Sequence, residues 1–261
     1  MSSLGGLVIS GSAFGVLMAG LSLLRPRLAA EWRRKLFHVG AGVIAISLPW
    51  LLPARWCALV LVATTIAVLL VVRLVARLRT SLGAALHDVE RRSYGEFYFG
   101  AAVLALFLAA PHGGVRYEIP VVILTLADPV AALIGMAYGR HHLGRWSAAK
   151  TVEGSLACLT VAGAVTAVGL GAVGYGPFPA LVIASIVAVA VTSAEALGSA
   201  GSDNLVIPLV AYLVLRPLLA SLIFLWLPVT LGVAIFARIA LGLLTPRPTR
   251  PGKTGAAVSR R

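Results

Sequence analysis

Long apolar runs dominate the chain, broken by short polar segments. Runs at 4–24, 54–75 and 219–244 each reach the length of about 18 residues or more that marks a membrane span. Other apolar stretches carry one or two polar interruptions. The pattern predicts helices at 4–24, 36–52, 54–75, 96–110, 117–138, 152–172, 178–197, 204–218 and 219–243. The eighth is short, with Pro217 marking its end or a hairpin turn. The expected fold is an all-α, polytopic transmembrane bundle of eight or nine spans.

Composition strengthens this reading. Of 261 residues, 59% are hydrophobic and 12% charged, and the mean hydropathy is +0.96. A soluble domain is about 45–50% apolar and about 25% charged. No soluble fold hides this much apolar surface. The net charge of +13 first suggests nucleic acid, but no nucleic-acid-binding motif accompanies it. Topology explains it better. Assigned to alternate loops of the nine-span layout, 19 of the 22 Lys and Arg residues fall on one side and 3 on the other. Cytoplasmic loops keep positive charge, so the N-terminus is expected outside and the C-terminus inside. The clean alternation favours nine spans.

Other features refine the organisation. Cys57 and Cys158 lie in apolar spans, so a disulfide framework or zinc site is not expected. No basic region precedes the run at 4–24, which reads as a retained helix and not a cleaved signal. Residues 1–244 are expected to form one transmembrane catalytic domain, followed by a basic, Pro-rich, disordered cytoplasmic tail at 245–261. Gly11 and Gly15 form a small-residue pair suited to close helix packing.

Against this background, a few polar groups stand out. Asp128, in Leu126-Ala127-Asp128-Pro129, is a carboxylate inside a span, where an unpaired charge is costly and by default functional. Pro129 disfavours helical geometry at Asp128, which predicts a broken helix with Asp128 as N-cap of the second half. A purely capping role is the alternative. Gly135 and Gly139 would then admit neighbouring backbone. At 150–155, Lys150-Thr151-Val152-Glu153-Gly154-Ser155 opens a helix with Thr151 as N-cap, and a helix start beside a lysine attracts phosphate. A P-loop is declined, because Ala149 replaces the second glycine and no βαβ context exists.

Three further groups follow. In Glu31-Trp32-Arg33-Arg34-Lys35-Leu36-Phe37-His38, helical spacing places Arg34 with His38 and Glu31 with Lys35. His38 reads equally as a buried structural histidine or a substrate contact. Arg91-Arg92-Ser93-Tyr94-Gly95-Glu96 precedes the fourth helix, where Glu96 also suits the helix dipole. Glu195 is followed by the tight connection Gly198-Ser199-Ala200-Gly201-Ser202-Asp203-Asn204 and by Pro208. All five groups map to the same, cytoplasmic, ends of their helices. Together they offer carboxylates for Mg²⁺ and cations for phosphate, which suits phosphoryl chemistry.

These blocks also resemble a known family. Glu-x-x-Arg-Lys-x-x-His at 31–38, Tyr-Gly-Glu-x-Tyr-Phe at 94–99, Asp-Pro-x-Ala-x-x-x-Gly-x-x-x-Gly at 128–139, Lys-Thr-x-Glu-Gly-Ser at 150–155 and Glu195…Asp203-Asn204-x-x-x-Pro208 resemble, in order, the dolichol kinase and phytol kinase family. The resemblance covers about residues 31 to 215, and family members often carry Asp-Gly where this chain has Asp128-Pro129. It implies a CTP-dependent kinase acting on the hydroxyl of a membrane lipid alcohol; with the charge topology, the expected location is a prokaryotic plasma membrane with the active site facing the cytoplasm. Phosphatidate cytidylyltransferase is similar over the Asp-to-Gly154 stretch, but its long C-terminal signature is absent here.

The expected roles follow from these readings. Asp128, Lys150, Glu153 and Glu195 are the catalytic candidates. Arg34, Lys35, Arg92, Gly135, Gly139, Lys150, Thr151, Gly154, Ser155 and Asn204 are expected to bind nucleotide and phosphate, and His38 and Glu96 the substrate. Asp128, Asp203 and Glu153 are expected to hold Mg²⁺, with Asp128, Glu195 and His38 as candidates for the general base. The expected partners are a lipid alcohol, CTP and membrane lipids, with no nucleic acid. Two alternatives stay open: CDP-lipid synthesis, and a transporter, since a broken helix with a buried acid also marks transport pathways.

Overall fold

The computed structural model describes residues 2–24, 26–75, 94–110, 112–144, 150–198 and 201–220. The described residues form eight α-helices and no strand: α1 Ser3–Leu23, α2 Ala30–Leu51, α3 Arg55–Leu74, α4 Gly95–Ala109, α5 Val115–Tyr138, α6 Val152–Ala172, α7 Pro177–Leu197 and α8 Asp203–Ala220. Six of them, α1, α3, α5, α6, α7 and α8, are long and apolar enough to cross a membrane. Consecutive helices alternate in direction. One end of the bundle therefore gathers the starts of α2, α4, α6 and α8 with the ends of α1, α3, α5 and α7. We refer to it as the polar end.

Helix α5 is shared by the two large cores. On one side Ile123, Ala127 and Ala131 pack with Cys158 and Ala162 of α6, Ile183 and Val187 of α7, and Ile207 and Leu215 of α8. On the other, Tyr117 and Val121 pack with Ala45 and Leu48 of α2, Cys57 of α3, and Val103 and Phe107 of α4. Helices α5 and α7 are the most enclosed, whereas α1 and α6 lie at the periphery. Exposed aromatic residues sit at both ends: Trp32, Tyr94 and Tyr138 at the polar end, and Trp50, Trp56 and Phe178 at the other. That is the placement of interfacial anchors around an apolar band. The molecule is a helical membrane protein.

Close approaches fix the register. A Cβ on Gly42 would stand 2.1 Å from the Thr125 Oγ1, so α2 and α5 cross at van der Waals contact there. Tyr117 donates to the Ala45 carbonyl at 2.7 Å, further along the same antiparallel seam. Across the α5–α6 seam, a Cβ on Gly154 would meet the Ala131 carbonyl oxygen at 2.8 Å, and one on Gly135 would meet Thr151 Oγ1 at 3.0 Å. The expected role of Gly135 in admitting its neighbour is thus met. Gly11 and Gly15 behave differently: among the described residues nothing lies within 4 Å of a Cβ built on either.

Two expected breaks are absent. Helix α5 runs from Val115 to Tyr138 with Pro129 inside it, and α8 runs through Pro217 to Ala220. Neither Asp128 nor Pro217 ends a helix. Proline inside a membrane helix is tolerated when neighbouring helices satisfy the backbone it disturbs. Pro129 leaves the Thr125 carbonyl, four residues earlier, without its helical donor, and α2 packs beside it, with His38 Nε2 donating to the adjacent Leu124 carbonyl at 2.8 Å. Around Pro217, the buried Leu215 and Leu218 anchor both sides of the ring in the core. The expected ninth span at 219–243 and the tail at 245–261 lie outside the described residues, apart from the overlap of that span with the end of α8.

Candidate active site

The polar end holds two ion-paired clusters built from distant parts of the chain. In the first, Lys35 Nζ of α2 donates to Asp128 Oδ2 of α5 at 3.0 Å, and both side chains are almost completely buried. The α2–α5 seam makes the pair. With α2 held at Gly42–Thr125 and His38–Leu124, Lys35 lies about one turn further along, level with Asp128. Because a carbonyl only accepts, the His38 contact places a proton on Nε2. The His38 ring also meets Phe99 of α4 edge-to-face, with centroids 5.2 Å apart.

The second cluster joins the entrance of α6 to α7 and α8. Lys150 donates to Glu195 Oε1, and also to Asp203 Oδ2 at 3.2 Å. The other oxygen of Asp203, Oδ1, accepts the Asn204 N–H at 3.1 Å, and Ser155 Oγ donates to Glu195 Oε2 at 3.4 Å. Thr151 caps α6 by accepting the Gly154 N–H at 3.2 Å, as its sequence position predicts. The backbone beside Lys150 is held by Leu143 N–H donating to the Lys150 carbonyl at 3.0 Å and Val152 N–H to the His141 carbonyl at 2.8 Å. The lysine therefore projects from a fixed main chain. Burial disfavours its ammonium, but Glu195 and then Asp203 outweigh that and hold its pKa above the ordinary lysine value.

The two clusters share one field. Asp128 interacts electrostatically with Lys150 as well as with Lys35 and His38, and Arg34 with both Asp128 and Asp203. Arg34 is itself clamped by Glu31, with Nη2 to Oε1 at 2.5 Å and Nε to Oε2 at 3.1 Å. Spacing on α2 grouped Glu31 with Lys35. Instead Glu31 takes Arg34, because Lys35 points into the bundle.

Other expected residues lie at the margin. Glu153 accepts from the exposed His141 ring at 2.7 Å and from its backbone N–H at 3.4 Å, and does not join Asp128 or Asp203. Among the described residues no group of three or more His, Cys, Asp or Glu side chains is placed to hold a metal. The trio Asp128, Asp203 and Glu153 is not brought together. Glu96 pairs with Arg73 of α3 at 3.3 Å, and that guanidinium lies over the Tyr94 ring, 4.6 Å from its centroid. Asn204 Nδ2 donates to the Gly95 carbonyl at 2.9 Å, tying α8 to the start of α4, while its Oδ1 is buried without a partner among the described residues. A Cβ on Gly139 would collide with Thr151 Cγ2 at 2.6 Å, so Gly139 serves packing against the α6 cap. Arg92 lies outside the described residues.

Sequence reasoning missed His141 and Arg73 as partners of the expected acids. His141 sits in a connecting loop without a motif of its own, and Arg73 reads as an ordinary charged helix flank.

Comparison with known proteins places the chain beside one family. The profile of the cytidylyltransferase family matches residues 3–201. A phytol kinase from Synechocystis sp. is 30% identical over 187 residues, covering 69% of this chain and 76% of the relative. No solved structure matches the chain.

Proposed function

The chain belongs to the cytidylyltransferase family, among its polyprenol and phytol kinases, and from that premise we propose that it is a lipid-alcohol kinase using CTP. The observation that supports this reading most is the convergence of Lys150, Glu195 and Asp203 within the field of Asp128 and Arg34, all at one end of the bundle. In phosphoryl transfer, positioning and charge stabilisation supply most of the catalysis. A cluster of fixed cations and acids at a membrane surface suits that task. By the bias of basic residues, the polar end faces the cytoplasm, so nucleotide arrives from water and the alcohol from the bilayer.

In this reading Lys150 and Arg34 neutralise the phosphates. Lys35, buried on Asp128, positions that carboxylate, and Asp128 faces the incoming hydroxyl. The hydroxyl oxygen bonds to the γ-phosphorus, the bond from that phosphorus to the β,γ-bridging oxygen breaks, and CDP leaves with the electron pair. The hydroxyl proton passes to Asp128 and then to water. Mg²⁺ commonly takes one or two carboxylates plus substrate phosphates. Glu195 and Asp203 fit that donor set, because their oxygens converge on one cationic point. When bound, the ion would offset charge on the phosphates.

The alternative, favoured by the family's description, is transfer of a cytidylyl group to a lipid phosphate. The products separate the two, since a kinase releases CDP and a cytidylyltransferase releases pyrophosphate. The test supplies γ-labelled CTP or ATP and a panel of lipid alcohols to the purified protein. Label should appear in the lipid with CTP, and Lys150→Ala and Asp128→Asn should each lose about 100-fold or more of that activity. Pyrophosphate release, or full activity in both variants, would overturn the proposal.

A further inference from the structure

We propose that Lys150 and the divalent cation are alternative occupants of the Glu195–Asp203 carboxylate pair, so that metal entry frees the lysine for phosphate. The inference rests on the reading of Lys150 as a phosphate ligand. As the site stands, Lys150 is the ion-pair partner of both acids among the described residues. A phosphate approaching its ammonium would also approach two carboxylates. The cluster of one ammonium and two carboxylates carries a formal charge of −1, which repels a polyphosphate.

Lys150 cannot simply leave. Glu195 is 3% exposed, and a buried carboxylate stripped of its counter-charge is strongly destabilising. A replacement cation must arrive as the lysine departs. The geometry suits an exchange. The Lys150 carbonyl and the Val152 N–H that follows are bonded to the 141–143 segment, while the Lys150 side chain remains one-fifth exposed and carries freely rotating methylenes. Both acids are anchored independently of it, Glu195 by Ser155 and Asp203 by the Asn204 N–H. The carboxylates hold their places while the cation between them changes. With a divalent ion added, the same group carries +1 and attracts the nucleotide. Metal binding thus inverts the sign of the site, which makes nucleotide binding depend on metal.

The direct test measures Mn²⁺ binding to the purified full-length protein without nucleotide, by the loss of the free-ion paramagnetic resonance signal. Lys150→Met removes the competitor, so it should bind Mn²⁺ about tenfold or more tighter than wild type, the scale expected when a buried charge loses its partner. Lys150→Met/Glu195→Gln should lose that gain. Unchanged affinity in Lys150→Met, or a gain that survives Glu195→Gln, overturns the exchange. A wild-type measurement covers a variant that does not fold: Mg²⁺ alone should raise acylation of the Lys150 amine, read by peptide mass spectrometry. CTP added with the metal should then protect it. Unchanged labelling with Mg²⁺ also overturns the proposal. Turnover separates the two levels of inference. If Lys150→Met retains full kinase activity, the phosphate role fails and the exchange fails with it; lost turnover with unaltered Mn²⁺ affinity removes the exchange alone.

Discussion

Replacing Lys35 by Met tests how the deepest acid of the site is held. Lys35 Nζ and Asp128 Oδ2 are 3.0 Å apart with little solvent on either side chain. At an effective dielectric of about 20, a pair at that separation attracts by roughly 5 kcal/mol. Part of this offsets the cost of removing both groups from water, but breaking only one side of such a pair typically costs about 3–5 kcal/mol. The Met side chain fills much of the same volume, so loss of packing adds little. For a chain of this size each kcal/mol moves the midpoint by roughly 2–4 °C, which predicts a drop of roughly 6–20 °C for Lys35→Met. Lys35→Met/Asp128→Leu removes both charges and should recover most of the loss, since an apolar pair often matches a buried ion pair. The assay is thermal unfolding in one detergent, with wild type, both single variants and the double variant completing a cycle. Kinase activity should stay lost in the double variant, because Asp128 is gone. If Lys35→Met melts with wild type, or the double variant is as unstable as Lys35→Met, the electrostatic account of this pair is wrong.

Three further expectations follow. Gly154→Ala sets a methyl 2.8 Å from the Ala131 carbonyl oxygen and should cost about 1–3 kcal/mol, whereas Gly163→Ala meets only Ala188 Cβ at 3.6 Å and should be neutral or stabilising; parallel melting curves compare them. Glu153→Gln should keep turnover within about fivefold of wild type, the scale of a lost surface ion pair, while Glu195→Gln should lose far more; steady-state kinetics of both variants decide whether Glu153 stands outside the reacting cluster. Asn204→Ala removes the tether to the Gly95 carbonyl and should lower stability by about 1 kcal/mol, read as a small midpoint shift in the same melting assay.

The apolar runs determined a great deal without the structure. Apolar length fixes where a helix crosses lipid, and this signal is local, so seven of the eight described helices lie within two residues of their expected bounds, while α2 starts at Ala30 and not at 36 because its first turns, Glu31 to Lys35, are polar. The Thr151 cap was legible for the same reason: a capping side chain acts within one turn of its own backbone. Asp128, Lys150, Glu195 and Asp203 were likewise visible as costly charges near apolar helices. The pairing of those charges was not legible. Nothing in the sequence says that Lys35 reaches Asp128 and not Glu31, since that depends on the α2–α5 seam set at Gly42 and Thr125. Nor does local spacing show that Glu153 turns to His141, or that Glu195 and Asp203 meet on one lysine. The continuity of α5 through Pro129 is not legible locally for the same cause. Proline's local preference argues for a break, yet the helix runs on where α2 packs against it, with His38 on the Leu124 carbonyl and Lys35 on Asp128. Sequence determined which groups are expensive to bury; packing between distant helices decided which partner each received.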